Sequence, residues 1–281
     1  MSNVVDIKKP LIHEDPWKKL RQFTDARIGL GRVGTSIPTD ELLAFQLSHA
    51  QAIDAVHVPL DINALEKQFA QQSSIAQYLP AFHLHSQADD RITYLQRPDL
   101  GRRLNEASMQ TLKHHSDQSV NAYDLAIVVV DGLSSHAIAH HAMPFIEQLL
   151  TLFERDQHAW RLAPIAIVEQ GRVAVGDDVG EALNANEVLV LVGERPGLSS
   201  PDSLGLYLTW NPTRGKEDSL RNCISNVRPQ GLKYEAAAHK CFYLLKESRR
   251  IKLTGVGLKD RSEESELPHP TSQHFSLTQS S

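Results

Sequence analysis

The chemistry-bearing residues of this chain gather in three short turns. They read Asp131-Gly132-Leu133-Ser134, Glu169-Gln170-Gly171-Arg172-Val173 and Gly193-Glu194-Arg195-Pro196-Gly197. Each joins a glycine, which lets backbone come close to a ligand, to a charged side chain able to hydrogen-bond one. Glycine also serves tight strand-to-helix turns that bind nothing, and for one turn alone that reading prevails. Three such turns put a ligand crevice on level terms with it. None is G-x-G-x-x-G or a P-loop, so a standard nicotinamide or nucleotide site is not supported. Another glycine-rich string, Arg27-Ile28-Gly29-Leu30-Gly31-Arg32-Val33-Gly34, has the wrong spacing after Gly31 and no convincing strand before it. A dinucleotide fingerprint is rejected there, although its two arginines could meet a carboxylate or a phosphate.

Other chemistries fail on spacing. There is no G-x-S-x-G elbow and no H-E-x-x-H pair. His114-His115 and His140-His141 are neighbours, and on a helix neighbours point about 100° apart, a poor chelating geometry. His83 and His85 would share one face of a strand and suit a metal, but no third ligand lies nearby, so a surface role is favoured. The two cysteines, Cys223 and Cys241, exclude a disulfide framework and a four-cysteine zinc site. As a single thiol, Cys223 reads as a small hydrophobe before a nucleophile.

Composition sets the outer limits. The chain has 281 residues, 41% hydrophobic and 22% charged, which marks a globular protein. A net charge of −5 leaves no overall electrostatic footprint for nucleic acid. No apolar run is long enough to span a membrane. The first ten residues have no apolar core of the kind a secretory signal needs, so the cytoplasm is the default compartment.

The turns must be positioned by regular elements. Residues 1–20 form a polar arm broken by Pro10 and Pro16. A frayed terminus is favoured there over docking through His13, Glu14, Asp15 and Trp17. Residues 21–115 are expected to be a helical N-terminal region. Its clearest helix spans 39–57, with Thr39 as a cap and Asp40 and Glu41 at the positive end of the dipole. Leu42, Phe45, His49, Ile53 and Val56 recur on one face, and His49 fits a core or interface histidine better than a ligand.

Residues 116–259 have α/β grammar. Strands are expected at 125–130, 164–168, 187–192 and 206–209, and helices at 136–154, 177–183 and 235–250. This alternation implies right-handed crossovers and a Rossmann-like doubly wound, mostly parallel sheet. The fold class is therefore α/β, with a helical front part. The three turns fall at the carboxyl ends of strands, where ligands of open sheets bind. Residues 260–281 are read as a disordered tail.

Six strings in order carry a family resemblance. The first two are Ala26-Arg27-Ile28-Gly29-Leu30-Gly31-Arg32 and Tyr94-Leu95-Gln96-Arg97-Pro98-Asp99-Leu100-Gly101-Arg102-Arg103. Then come Asp131-Gly132-Leu133-Ser134, Gly171-Arg172-Val173 and Gly193-Glu194-Arg195-Pro196-Gly197-Leu198. The last is Arg221-Asn222-Cys223-Ile224-Ser225-Asn226-Val227-Arg228-Pro229. Over residues 20–258 the chain resembles the small (light) subunit of ethanolamine ammonia-lyase.

The resemblance implies a two-subunit lyase that uses adenosylcobalamin, bound base-on, to convert ethanolamine to acetaldehyde and ammonia by a radical route. It implies a large TIM-barrel subunit that holds the substrate, with the cofactor at the interface. This chain would then supply a wall of the cofactor site, with no catalytic residue and no metal ligand of its own. Carried over residue by residue, the cofactor contacts fall on Val173, Glu194 and Cys223. Val173 would lie against a flat corrin, and Glu194 would accept hydrogen bonds from amides or a ribose hydroxyl. Cys223 would offer a small, polarizable surface from a loop. The base-off cobalamin motif, D-x-H-x-x-G, is approached by Asp156-Gln157-His158-Ala159-Trp160-Arg161, but the glycine is missing and a helix precedes it. His158 is therefore read as a surface residue near a helix C-terminus.

The arginines at 97, 102, 103, 195 and 228 have several possible roles: salt bridges, subunit contacts or anchoring of the cofactor's tail. For the 97–103 cluster a subunit contact is favoured. Two other readings compete. A free-standing dehydrogenase lacks its fingerprint. A non-catalytic Rossmann-like binding or scaffold module is opposed by the presence of Glu194 and Cys223 in their full strings. Family members are often housed in bacterial microcompartments, but the proline-broken arm shows no targeting helix, so cytoplasm and microcompartment both stand.

Overall fold

A computed structural model describes residues 15–24, 26–118, 122–198, 200 and 202–262. His13 and Glu14 of the arm, and all but the first residues of the expected tail, lie outside these. Asp15 caps a 3-10 helix, Pro16–Phe23, by accepting a hydrogen bond from the Trp17 N–H at 3.0 Å.

Among the described residues the α-helices and strands that follow are α1 (Thr39–His57), α2 (Ile62–Gln71), α3 (Ser73–Ala76), β1 (Phe82–His85), α4 (Arg91–Gln96), α5 (Glu106–Gln118), β2 (Tyr123–Val130), α6 (Ser135–Arg155), β3 (Ala166–Glu169), α7 (Val175–Ala182), β4 (Ala185–Gly193), β5 (Leu204–Trp210), β6 (Asn222–Val227) and α8 (Tyr234–Ile251). One six-stranded sheet has the order β1-β3-β2-β4-β5-β6. The pairings among β1, β3, β2 and β4 are parallel, whereas β4–β5 and β5–β6 are antiparallel. The sheet is thus mostly parallel, as expected, with an antiparallel margin.

Strand β2 shows why the centre is stable. Successive side chains point to opposite faces. Leu125, Ile127 and Val129 enter one core with Phe145 of α6 and Leu245 of α8. Ala126, Val128 and Val130 enter a second core with Val175 and Val179 of α7 and Leu112 of α5. Both faces are covered, so the strand is apolar throughout. Ser134 caps α6 by accepting from the Ala137 N–H at 3.2 Å. Helix α6 leaves β2 on one face and α7 leaves β3 on the other, so the chain parts at their carboxyl ends, where open sheets hold ligands.

Three expectations need correction. Residues 21–115 are not purely helical, because β1 pairs along its length with β3, Phe82 opposite Ala166. Two histidines in a four-residue segment hide it from an apolar-run search. Cys223 does not sit in a loop but in β6, opposite Tyr207 of β5. That edge strand reads as polar because several of its side chains face outward. Of the core and interface readings of His49, the core one does not hold within this chain: its stripe neighbours Leu42, Phe45 and Ile53 are all exposed. His49 stacks on Phe45 at 6.3 Å between ring centroids, out in solvent. No helix among the described residues is long and apolar enough to cross a membrane.

Candidate functional site

The turns after β2, β3 and β4 are fastened to one another by their own polar groups. Asp131 is 1% exposed, and its carboxylate accepts the Gln170 N–H at 2.9 Å and the Gly171 N–H at 3.1 Å. Arg91 lies 3.6 Å away and donates from the same nitrogen to the Gly132 carbonyl at 2.8 Å. Burial pushes the Asp131 carboxyl up to about 6, while the two N–H donors and Arg91 pull against that shift. Gly132 has φ of +60°, and a Cβ there would lie 2.4 Å from the Gly193 carbonyl oxygen. A Cβ on Gly193 would meet the Ser134 carbonyl oxygen at 2.0 Å. The first and third turns therefore press backbone on backbone, which only glycine permits.

Segment 94–103 closes one side. The Arg172 N–H donates to the Gly101 carbonyl at 2.7 Å, and its guanidinium donates to the Tyr94 carbonyl at 3.1 Å. Arg172 and Arg91 both lie over the Tyr94 ring, at 4.5 and 4.7 Å from its centroid. Burial raises the Tyr94 hydroxyl to about 12, so it stays protonated.

The antiparallel margin closes the other side. The Glu194 N–H donates to the Ser203 carbonyl at 3.0 Å, and the Glu194 carboxylate accepts the Asn226 N–H at 3.2 Å. Tyr207 of β5 and Cys223 of β6 stand directly opposite each other in the ladder, so the hydroxyl and the thiol share one surface. Desolvation raises both groups, and Glu194 adds to the rise at Cys223, which makes the thiol a weak nucleophile. Beneath them Arg221 grips Asp177 of α7 through two bonds of 2.6 and 2.7 Å, with further bonds to Thr209 and to the Lys216 carbonyl. This pair ties the start of β6 to the first turn of α7.

Between these walls lies an open cleft of about 760 Å³. Val173, Glu194 and Cys223, distant in sequence, all line it, and so do Tyr94, Leu133 and Tyr207. Four arginines reach it as well: Arg102, Arg172, Arg195 and Arg221. Glu194 is not paired with Arg172 or Arg195, because Arg172 turns to Tyr94.

The other candidates lie elsewhere. Arg97 pairs with Asp99, and Arg103 with Asp178. Arg228 donates to Asn226 and stands 4.0 Å from Asp202. His83 faces Glu66 at 3.2 Å, and His158 faces Asp124 at 3.1 Å. Among the described residues no group of three or more His, Cys, Asp or Glu side chains is placed to hold a metal. Tyr94, Tyr207, Asp218 and Arg221 were not singled out from sequence. Two of them lie in strings that carry the resemblance, but no local pattern marks a wall residue supplied from a distant strand.

Comparison with known proteins identifies the lineage. The family model described as ethanolamine ammonia-lyase light chain (EutC) matches residues 14–259. The ethanolamine ammonia-lyase small subunit of Pseudomonas fluorescens strain SBW25 is 53% identical over 252 residues, covering 89% of this chain and 88% of the relative. The protein of the same name from Pseudomonas aeruginosa strain LESB58 is 54% identical over 250 residues, 89% of each chain. That from Pseudomonas putida strain KT2440 is 52% identical over 252 residues, again 89% of each. Identity at this level, along nearly the whole described chain, leaves one assignment: the chain belongs to the ethanolamine ammonia-lyase light-chain family.

Proposed function

We propose that this chain, as the small subunit of an ethanolamine ammonia-lyase, supplies one wall of an adenosylcobalamin site that a large subunit completes. The observation that carries the reading is the meeting of Val173, Glu194 and Cys223 in a single cleft at the carboxyl ends of the strands. The donor set fits the cofactor. A flat macrocycle rimmed with amides needs an apolar shelf and hydrogen-bonding groups at its edge. Leu133, Val173, Ala174 and Val192 provide the shelf. Glu194 uses one carboxylate oxygen on Asn226 and keeps acceptor capacity for amide or hydroxyl donors. The cleft is open, as a half-site should be.

When bound, adenosylcobalamin supplies the radical chemistry by homolysis of its cobalt–carbon bond. This chain's residues do the holding. The glycine seam at Gly132 and Gly193 gives a floor of backbone, Val173 gives a flat apolar contact, and Glu194 orients polar groups at the rim. The Tyr207–Cys223 pair presents a surface that stays neutral at ordinary pH, because both groups are raised. No acid, base or nucleophile is assigned to this chain, and the partner subunit holds ethanolamine. The cofactor is taken in its base-on form, with no protein ligand to cobalt from this chain.

The test is corrinoid binding to the reconstituted two-subunit complex, followed by absorbance. Glu194→Ala should weaken binding about tenfold, the scale of one lost hydrogen bond to a charged acceptor. Val173→Trp should abolish it by filling the shelf. Unchanged affinity in both variants would remove the site assignment.

A further inference from the structure

The cleft sets four arginines against two carboxylates, Glu194 and Asp218, although the whole chain has a net charge of −5. Three of the four are held by other groups. Arg221 is buried and doubly bonded to Asp177. Arg172 donates to the Tyr94 carbonyl and lies over its ring. Arg102 stands 3.4 Å from both carboxylate oxygens of Asp218. Arg195 differs. It is exposed, and among the described residues it makes no hydrogen bond or ion pair.

Its backbone is nevertheless braced. Arg195 follows Glu194, whose N–H is bonded to the β5 side through Ser203. It precedes Pro196, whose ring bars helical geometry at the residue before it. Beyond the proline, Gly197 and Ser200 close a turn through reciprocal backbone bonds of 2.8 and 3.2 Å. A fixed stalk therefore presents a free guanidinium at the cleft. The corrin's rim amides are neutral, and in the cofactor reading Glu194 is their acceptor. A free guanidinium, with its fork of donors, matches a phosphate instead.

We propose that Arg195 anchors the phosphodiester of the cofactor's nucleotide tail, and so selects complete cobalamins over corrinoids that lack the tail. The inference rests on the cofactor reading above. That phosphodiester is the anionic group of a complete cobalamin, and a corrinoid without the tail lacks it. Arg195 is a binding and specificity residue in this role and touches no reacting atom.

Two probes separate the possibilities in the reconstituted complex: cyanocobalamin, and dicyanocobinamide, which has the corrin but no phosphodiester or lower base. Arg195→Ala should weaken cyanocobalamin about tenfold, the loss of roughly one charge-assisted bond, and leave cobinamide affinity unchanged. Arg195→Lys should restore part of the loss, since it returns the charge without the fork. Raised salt should weaken cyanocobalamin binding in the wild type more than in Arg195→Ala. Equal weakening of both probes, or of neither, would overturn the proposal. Failure of Arg195→Ala to assemble with the large subunit would overturn it too, by assigning Arg195 to the protein interface. If the wild-type complex binds neither probe, the cofactor reading fails first and this inference falls with it.

Discussion

Helices α1 and α6 are nearly equal in length, 19 and 21 residues, and both carry apolar side chains at helical spacing. Their fates are opposite. Ten residues of α6 are buried, whereas α1 buries only Ala55. The difference lies in what each meets. Helix α6 leaves the end of β2 and is carried back over a sheet face already lined with Ile127 and Val129. Helix α1 precedes every strand and is held at its C-terminal end, where Arg91 donates to the Val56 carbonyl at 2.6 Å. Around it Trp17, Phe23, Val33, Ile37, Leu43 and Leu47 are exposed by 54–78%. An apolar stripe thus predicts that a helix has a sticky face. It does not predict that the same chain covers that face.

The contrast can be broken by mutation. Phe145→Ala in α6 should cost about 3–5 kcal/mol in denaturant unfolding, as expected for a large ring removed from a full core. Leu47→Ala in α1 should change it by no more than about 0.5 kcal/mol. A comparable loss at both would mean that α1 is covered within the chain. Arg221→Met should be nearly as damaging as the core truncation, about 3–5 kcal/mol, because Asp177 would be left buried without its partner.

A smaller effect separates the regions by pH. Asp131, buried behind the turns that line the cleft, has its carboxyl raised to about 6, above its ordinary value of 3.8. The folded state therefore holds this proton more tightly than the unfolded state. The stability it contributes is complete below pH 3.8 and is lost as pH rises through about 6. Relative to Asp131→Asn, the wild type should gain Tm on going from pH 7 to pH 4, while Leu47→Ala should track the wild type throughout. The mildest test is solubility. The chain expressed alone should self-associate, and Leu43→Glu with Leu47→Glu should reduce that association in sedimentation without altering the fold. A monodisperse wild-type monomer would show that the exposed face is harmless.

The same contrast explains what the sequence could disclose. The central strands were legible because burial on both faces forces continuous β-branched runs, as in Leu125 to Val130. The cleft was legible because glycine turns at strand ends mark close backbone approach. Strand β1 was signalled only as a segment in which His83 and His85 would share one face, and β6 was hidden by its outward polar residues. Their consequences were hidden with them: the Tyr207–Cys223 pair exists only because β5 and β6 run side by side. Arg221, Asp177 and Tyr94 form their contacts across long stretches of chain, and no local pattern encodes a partner that folding alone brings near.

The Arg221–Asp177 pair has one more consequence. Arg221 begins the segment that carries Cys223, and Asp177 lies in the helix that Val173 introduces. Opposite jaws of the cleft are therefore also joined below by a buried clamp, as the arms of a caliper are joined at the pivot. A change at the clamp would be felt by Val173 and Cys223 together.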